Sequence, residues 1–469
     1  MYFKQFYLGC LAHASYLIGS DGEAVVVDPQ RDVDQYIKEA EAQQLKIRYV
    51  IETHLHADFV SGHRELAART GATIVFGEKA RASFPHLAVR DGDSVTLGQI
   101  QLRVIETPGH TPEGICILID DPLLLDAPMK LLTGDTLFVG DVGRPDLAGS
   151  KGFSASQMAE MLSETIQHKL MPLGDSVEIY PAHGAGSMCG RSISKETFST
   201  MGAEKDTNYA LQAMTRESFV KMMTTDLPEA PAYFSTDAEI NRSGAPPLYG
   251  ASRPAALRAE EVELLNEAQA VILDVRDGAA FSNGHIPGAI NIGLSGQFAS
   301  WAGSLLDRSR RVVLIANDLE EIDEAVMRLA RVGLENIAGY LQGGLYAWDE
   351  AGLPVHQSSL ISVGDLHQKL CEDLSLQILD VRRPAEKKAG MISGAEGAEL
   401  ASLSESCKEF SKTRPTVVVC QSGYRSSIAA SVLLRAGFTD IYNLVGGMNA
   451  WNSFLMPPTE PTTACLNRI

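Results

Sequence analysis

The sequence predicts an α/β protein of about three domains, and three observations carry this prediction. Short runs of β-branched residues alternate with helical patterns over residues 1–230. A segment rich in Pro, Gly and Ala follows at 228–254 and is predicted to be a linker. After it, an internal repeat has a period of about 105 residues, which indicates two tandem α/β domains. The length of 469 residues also favours about three domains.

Composition and charge exclude several classes of function. The apolar fraction of 45% allows each domain to bury a core, whereas the formal net charge of −19 argues against nucleic acid and anionic membranes as partners. The first residues lack the basic-then-apolar order of a signal peptide, and no apolar stretch reaches the length of a membrane span. The seven cysteines are scattered without a C-x-x-C pair, which favours a reducing compartment over a disulfide framework. We therefore expect a cytoplasmic protein.

In the first part of the chain, polar residues follow predicted strands. Ligand sites of α/β proteins lie on such post-strand loops. The strand-and-loop units are AVVVDP, IRYVIETH, ATIVFG, IQLRVIETPGH, LLTGDTLF and VEIYPAHG. Their loops carry candidate metal ligands, namely His54, His56, Asp58, His110, Asp135 and His183.

The order of these motifs resembles the metallo-β-lactamase superfold, which implies an αββα sandwich. Dinuclear hydrolases of that superfold continue the first motif as H-x-H-x-D-H, and the last histidine helps to hold a second metal. In THLHADF this position is Phe59, whose ring cannot donate to a metal. We therefore expect one metal ion per chain. Two histidines and a carboxylate would leave three open coordination positions, which is typical of non-haem Fe(II) oxygenases rather than of zinc sites.

Residues 1 to about 215 resemble the persulfide dioxygenase family of the superfold. The resemblance implies one Fe(II) per chain with His54, His110 and Asp135 as ligands. His56, Asp58 and His183 would then orient ligands or a water molecule. For His56 and Asp58, a purely structural role in the loop is the alternative.

Two further stretches bear on the substrate. GDVGRPDL resembles the substrate-contacting G-R-T-D stretch of the family, so Arg144 would bind the substrate; an ion pair with Asp146 is the alternative. The late motif PAHGAGSMCG lacks the tyrosine of glutathione-using members, so the carrier thiol stays open among glutathione, coenzyme A and others. Cys189 in this motif either faces the pocket or is a buried spectator.

The two repeats differ at the position of the predicted nucleophile. In VVVCQSGYRSS a strand leads into a loop that runs from Cys420 to Arg425 and ends at a helix. Inward N–H groups, the helix dipole and Arg425 would favour a thiolate. Both repeats resemble rhodanese domains, and in the first repeat Ala316 and Glu321 replace Cys420 and Arg425, so that repeat is expected to be structural or to serve docking. The remaining loop residues are predicted to bind substrate: Gln421, Ser422, Gly423 and Tyr424.

The whole chain thus resembles a persulfide dioxygenase fused to two rhodanese domains, at 1–240, 241–357 and 358–469. The resemblance implies oxidation of a thiol persulfide by O2 to sulfite, and sulfur transfer through Cys420 that forms or consumes thiosulfate, in a homodimer or homotetramer. One alternative is a zinc-dependent thioester hydrolase fused to a sulfurtransferase. Another is a non-catalytic sulfur carrier in which only Cys420 shuttles sulfur.

Overall fold

The structure is a computed structural model that describes residues 1–123, 127–147, 152–227, 229–250, 252–372 and 375–455. The chain divides into two compact units. The first comprises Met1–Ala251 and Leu329–Gly333, and the second comprises Ser252–Arg328 and Leu334–Ile469.

Two six-stranded sheets form the centre of the first unit. One has the strand order β1-β2-β3-β4-β5-β6, and the other has the order β14-β13-β10-β9-β8-β7. The strands of the first sheet are β1 (Tyr2–Leu8), β2 (His13–Ser20), β3 (Glu23–Val27), β4 (Lys46–Ile51), β5 (Thr73–Gly77) and β6 (Leu87–Val89). Those of the second are β7 (Ser94–Leu97), β8 (Ile100–Glu106), β9 (Ile115–Asp120), β10 (Lys130–Gly134), β13 (Glu178–Pro181) and β14 (Ser199–Thr200), with a small hairpin of β11 (Leu137–Phe138) and β12 (Asp141–Val142).

Helices cover the outer faces of both sheets. Apolar side chains of the two sheets meet in one buried cluster, in which Val25 and Val27 of β3 lie with Leu102 and Val104 of β8. Alternate residues of β3 point outward instead and pack with residues of α1 and α2, as the two-residue period of a strand requires. This arrangement is the predicted αββα sandwich. The helices of this unit are α1 (Asp34–Ala42), α2 (His63–Thr70), α3 (Ala155–Thr165), α4 (Met201–Thr207), α5 (Arg216–Thr224) and α6 (Phe234–Ser243).

The prediction of a linker at 228–254 is wrong for its central part. Helix α6 occupies Phe234–Ser243 and buries Phe234, Asp237 and Asn241 in the first unit. These positions are three and four residues apart, so they lie on one face of the helix. The prediction relied on the Pro and Gly residues that flank the helix, and it overlooked the short helical periodicity between them.

The second unit contains two parallel five-stranded sheets with the same topology. Their orders are β15-β19-β18-β16-β17 and β20-β24-β23-β21-β22, so each strand of one repeat has its counterpart five strands later. The first sheet consists of β15 (Ala256–Leu257), β16 (Val271–Asp274), β17 (Ile290–Asn291), β18 (Val312–Ile315) and β19 (Ile337–Leu341). The second consists of β20 (Ser359–Ile361), β21 (Gln377–Asp380), β22 (Glu396–Gly397), β23 (Thr416–Val419) and β24 (Ile441–Leu444).

Helices flank these sheets and bury the central strands on both faces. Every residue of β18 and of β23 is buried, as parallel strands covered on two sides require. The helices are α7 (Ala259–Glu267), α8 (Gly278–Asn283), α9 (Phe298–Leu305), α10 (Leu319–Ala330), α11 (Gly344–Glu350), α12 (Val363–Glu372), α13 (Pro384–Lys388), α14 (Leu403–Ser406), α15 (Tyr424–Arg435) and α16 (Gly447–Leu455). No helix among the described residues has both the length and the apolar character to cross a membrane.

Most described cysteines are free thiols, but one is not. Cys371 is disulfide-bonded, which the expectation of a reducing compartment did not anticipate. The free cysteines are Cys10, Cys116, Cys189, Cys407 and Cys420.

Candidate metal centre and cysteine loop

Three of the predicted ligands lie close together in loops that follow strands of the first unit. His54 follows β4, His110 follows β8 and Asp135 follows β10. Nε2 of His54 and Nε2 of His110 lie 3.8 Å and 3.4 Å from Oδ2 of Asp135. All three side chains are buried, and their ligand atoms lie within 4.8 Å of one another.

The donor set of this group fits a metal ion. Nδ1 of His110 lies 2.9 Å from the carbonyl of Arg144, so it carries the proton, and Nε2 keeps a lone pair that could bind a metal. Burial lowers the pKa of His110, which favours the neutral imidazole that a metal requires. Neither carboxylate oxygen of Asp135 makes a hydrogen bond with a described residue. A buried carboxylate without such partners is costly unless a cation compensates it.

Close backbone packing brings these ligands together. A Cβ at Gly143 would lie 2.0 Å from the carbonyl oxygen of Asp135 and 2.8 Å from Cβ of His110. Only glycine allows the segment that carries Arg144 to approach both ligands this closely. The same approach places the Arg144 carbonyl on His110.

A second acidic and imidazole group adjoins the first. His56, Asp58 and His183 also bring ligand atoms within 4.8 Å of one another. Nε2 of His183 lies 3.4 Å from Asp58 and 3.6 Å from Asp135, so these side chains border the first group. His183 therefore links the two groups through the carboxylate of Asp135.

His56 directs one nitrogen away from this second group. Its Nε2 lies 3.1 Å from Asp28 and 3.2 Å from Glu52, two buried carboxylates that follow β3 and β4. Burial lowers the pKa of His56, but the two carboxylates outweigh burial and hold it well above its ordinary value. Sequence analysis missed Asp28 and Glu52, although both follow strands as the predicted ligands do.

Phe59 is fully buried beside these imidazoles. Its ring centroid lies 4.5 Å from that of His56 and 4.2 Å from that of His13. His13 begins β2 and forms an antiparallel bridge with His183, and neither of its ring nitrogens makes a hydrogen bond with a described residue. Burial, reinforced by the neighbouring His183, holds the pKa of His13 well below its ordinary value. Sequence analysis did not identify His13, because a single histidine at the start of a strand carries no motif.

Helix α6 fixes the backbone of the loop that carries the candidate ligands His54, His56 and Asp58. Nδ2 of Asn241 donates to the carbonyls of His56 and Phe59 at 2.8 Å and 2.7 Å. Its Oδ1 accepts the N–H of Ser61 at 2.8 Å. One buried amide side chain from the segment predicted as a linker therefore satisfies three backbone groups of this loop.

The Arg144 guanidinium forms its hydrogen bonds with neighbouring groups of the protein. It is fully buried and forms two hydrogen bonds with the carboxylate of Asp146, at 3.0 Å and 2.7 Å, and a third with the carbonyl of Met188. This is the ion pair that the sequence offered as the alternative to substrate binding. The side chain therefore contributes to the position of the loop that holds His110.

The Cys189 thiol lies beside the metal group. Its sulfur falls within 4.8 Å of ligand atoms of Asp135 and His183. Burial, together with the charges of Asp58 and Asp135, raises the pKa of Cys189 well above its ordinary value. Of the two roles that the sequence left open, the geometry therefore favours a protonated thiol that faces the site.

The cysteine loop of the second repeat has the predicted form. Cys420 directly follows β23 and is buried. The backbone N–H of Gly423 lies 3.1 Å from its sulfur, and the hydroxyl of Ser426, in the first turn of α15, lies 3.3 Å away. These donors stabilise negative charge on the sulfur. Ser426 was not among the predicted site residues.

Arg425 is held by a carboxylate that the sequence did not indicate. Its two terminal nitrogens donate to Glu386 of α13 at 2.7 Å and 2.6 Å. Gln421 lies nearby, with its Oε1 3.4 Å from a nitrogen of Arg382. Glu386 therefore partly neutralises the positive charge of Arg425 beside the loop.

The first repeat has the same strand–loop–helix order without the chemistry. Ala316 follows β18 as Cys420 follows β23, and the Glu321 side chain accepts from the backbone and the side-chain amide of Asn317. A methyl group replaces the sulfur, and a carboxylate closes the loop.

A cleft of about 1000 Å³ in the second unit, lined among others by His285 and Tyr346, includes no residue of either candidate site.

Comparisons with known proteins agree with both parts of the chain. The family model of the metallo-β-lactamase superfamily matches residues 8–183, and that of the rhodanese-like domain matches residues 258–351 and 362–454. The mitochondrial persulfide dioxygenase of Bos taurus is 31% identical over 219 residues, which cover 45% of this chain and 75% of that protein. The hydroxyacylglutathione hydrolase of Anaeromyxobacter dehalogenans (strain 2CP-C) is 31% identical over 170 residues, 36% of this chain and 60% of that protein.

A solved structure extends the similarity over most of the chain. The crystal structure of a metallo-β-lactamase from Staphylococcus aureus subsp. aureus COL has a TM-score of 0.65 and 35% identity, and the match covers 72% of this chain and 98% of that one. The chain belongs to the persulfide dioxygenase family of the metallo-β-lactamase superfamily, and two rhodanese-like domains follow its first domain.

Proposed function

We propose that the protein oxidises a low-molecular-weight thiol persulfide with O2 at a single Fe(II) and passes sulfane sulfur through Cys420. The observation that carries this proposal is the convergence of His54, His110 and Asp135, with Phe59 beside the adjoining His56, where a further histidine would serve a second metal. The net oxidation is RSSH + O2 + H2O → RSH + HSO3⁻ + H⁺. The persulfide dioxygenase relative supports this assignment.

Iron bound by these three residues would supply neighbouring positions for the substrate sulfur and for O2. The protein holds the ligands in place for this chemistry. The Arg144 carbonyl fixes the tautomer of His110, and Asn241 fixes the backbone that follows His54. Burial of the group excludes bulk water from the reacting atoms.

In the second reaction, Cys420 carries one sulfane sulfur. Attack of sulfite on the outer sulfur of the Cys420 persulfide forms the S–S bond of thiosulfate and returns the Cys420 thiolate. The Gly423 N–H and the Ser426 hydroxyl stabilise the charge on the leaving thiolate. The reverse reaction, in which thiosulfate charges Cys420, uses the same contacts.

The test is oxygen uptake by anaerobically purified, iron-loaded protein on addition of glutathione persulfide or coenzyme A persulfide, with metal content measured on the same sample. We expect uptake with about one iron per chain. His110→Ala should lose iron and oxygen uptake but keep sulfur transfer, whereas replacement of the exposed His168 by Ala should change neither. Zinc binding without oxygen uptake would contradict the proposal.

A second candidate is hydrolysis of thioesters by a dinuclear zinc site. The group of His56, Asp58 and His183, together with the hydroxyacylglutathione hydrolase relative, favours it. It predicts two zinc ions per chain and hydrolysis of acyl-thiols. Phe59, which offers no donor atom beside His56, counts against it.

A further inference from the structure

The first repeat, which lacks a nucleophile, contacts the cysteine loop of the second repeat inside the second unit. The side chain of Tyr424 leaves the loop and reaches segment 291–296 of the first repeat. Its hydroxyl donates to the carbonyl of Gly293 at 2.8 Å. A Cβ at Gly296 would lie 2.4–2.6 Å from three atoms of the Tyr424 ring, so the ring rests directly on this glycine.

A second contact lies one helical turn further along α15. The hydroxyl of Ser427 donates to Oδ1 of Asn291 at 2.9 Å, and the Asn291 N–H donates to Ser431 at 3.0 Å. Nδ2 of Asn291 donates to the carbonyls of Asp274 and Arg276, which fixes the amide so that its oxygen faces Ser427. Asn291 is buried, so these contacts are shielded from water.

The residues held by the first repeat are the immediate neighbours of the groups that contact sulfur. Tyr424 follows Gly423, whose N–H points at the Cys420 sulfur, and Ser427 follows Ser426, whose hydroxyl does the same. A shift of Tyr424 or Ser427 therefore moves a sulfur donor with it. Gly423 itself has φ +101°, a conformation that a flanking anchor helps to maintain.

We propose that segment 291–296 of the first repeat is a positioning element for the sulfur-transfer site. It seats Tyr424 and Ser427 and thereby sets the distances of two donors to the Cys420 sulfur. The proposal rests on the proposed sulfur transfer through Cys420. It also gives the repeat without a nucleophile a defined part in the reaction of its neighbour.

Gly296→Ala in the full chain tests the proposal, because its methyl group meets the Tyr424 ring. We expect kcat for sulfur transfer from thiosulfate to cyanide to fall about tenfold, since small displacements of catalytic groups have large effects on rate. Tyr424→Phe, which keeps the ring and loses the hydrogen bond to Gly293, should lower kcat by about threefold. The matched control is Tyr346→Phe, since the Tyr346 side chain is 71% exposed and its hydroxyl donates to Glu350.

Two further measurements separate positioning from a general loss of stability. The pH dependence of Cys420 alkylation by iodoacetamide, followed by peptide mass spectrometry, should move to higher pH in Gly296→Ala and stay unchanged in Tyr346→Phe. In a Tyr424→Ala background, Gly296→Ala should have no additional effect, because the colliding ring is absent. Oxygen uptake should stay at the wild-type rate in all of these variants.

The outcomes distinguish this proposal from the one on which it rests. A folded Gly296→Ala variant with wild-type kcat and an unchanged alkylation profile overturns the positioning role. If Gly296→Ala does not fold, the same two readouts on Tyr424→Phe decide. If the wild-type protein transfers no sulfur, the proposed function fails, while the alkylation profiles still report whether segment 291–296 controls Cys420.

Discussion

Phe59 is the residue on which the proposal of a single metal ion depends. It fills the space beside His56 where a metal-binding side chain would complete a second site. Phe59→His adds an imidazole beside His56, which groups with Asp58 and His183, so we expect bound metal to rise from about one to about two ions per chain. Titration of metal-free protein with Zn²⁺, followed by metal analysis after desalting, measures this number.

Phe59→Leu is the matched control, because it removes the ring without adding a donor atom. It should still bind a single metal ion. Both variants place a new group in a buried site, and the histidine costs about 1–3 kcal/mol of stability when it lacks partners. Two zinc ions already bound by the wild-type protein would sink the mononuclear assignment.

Glu386 pairs with Arg425, the residue at which we propose that an anionic substrate binds. Because the pair is only partly exposed, its carboxylate offsets much of the Arg425 charge. Glu386→Gln removes that offset, and we expect the KM for thiosulfate to fall about fivefold, in keeping with an ion pair of about 1 kcal/mol. Steady-state kinetics at low and high salt measure the effect, which added salt should weaken.

The pH dependence provides a signature for this pair. Burial raises the pKa of Glu386, but the hydrogen bonds and charge of Arg425 outweigh it, so the net pKa is lowered. The carboxylate therefore stays charged at neutral pH and loses its charge only as the pH falls through this lowered pKa. The KM difference between wild type and Glu386→Gln should vanish there. A control change, Glu399→Gln, should leave KM unaltered, and an unchanged KM in Glu386→Gln would contradict this role.

At the scale of elements, α6 shows how a helix distant in sequence supports the loop of the candidate metal ligands. Asn241→Ala removes three hydrogen bonds to the backbone between His56 and Ser61. We expect the affinity for iron to fall about tenfold, as when groups that orient metal ligands are lost. Competition with a chelator measures this affinity. Asn266→Ala, in the first repeat, is the control, and equal iron affinity in Asn241→Ala and wild type would refute the supporting role.

The strand ends explain why the ligands meet. His54 and Asp135 each follow a strand in a different sheet of the sandwich, and the loops after these strands come together at one edge. The same rule places Cys420 after β23 and Ala316 after β18. The candidate metal ligands and Cys420 therefore all lie just after a strand. In the two repeats, the residue type at that position decides which repeat can react.

At the scale of the whole molecule, the proposed function combines an oxidation with a sulfur transfer in one chain. Cys420→Ser should leave oxygen uptake unchanged and shift the product from thiosulfate to sulfite, because the sulfur carrier is lost while the metal group is intact. Quantification of both anions after persulfide oxidation measures the shift. Cys407→Ser, a buried cysteine of the same repeat, should keep the wild-type product. Unchanged thiosulfate output from Cys420→Ser would show that sulfur transfer does not pass through this residue.

The sequence by itself determined the αββα and tandem-repeat architecture, the six strands with their polar loops, and the positions of His54, His110, Asp135 and Cys420. Such features are local: strand periodicity, a loop motif and a strand–loop–helix unit are each written within a few consecutive residues. The loss of Cys and Arg in the first repeat was visible for the same reason, because the internal repeat aligns Ala316 with Cys420.

Only the tertiary structure decided which groups surround these residues. Four contacts join residues that are distant in the chain. They are Asp28 with His56, Glu386 with Arg425, Asn241 with the backbone of His56, and Tyr424 with the carbonyl of Gly293. Such pairs leave no periodic or motif signal, because they arise where separately folded elements pack against one another. Arg144 is an example. The sequence motif identified the residue and left two partners open, and the folded structure pairs its side chain with Asp146.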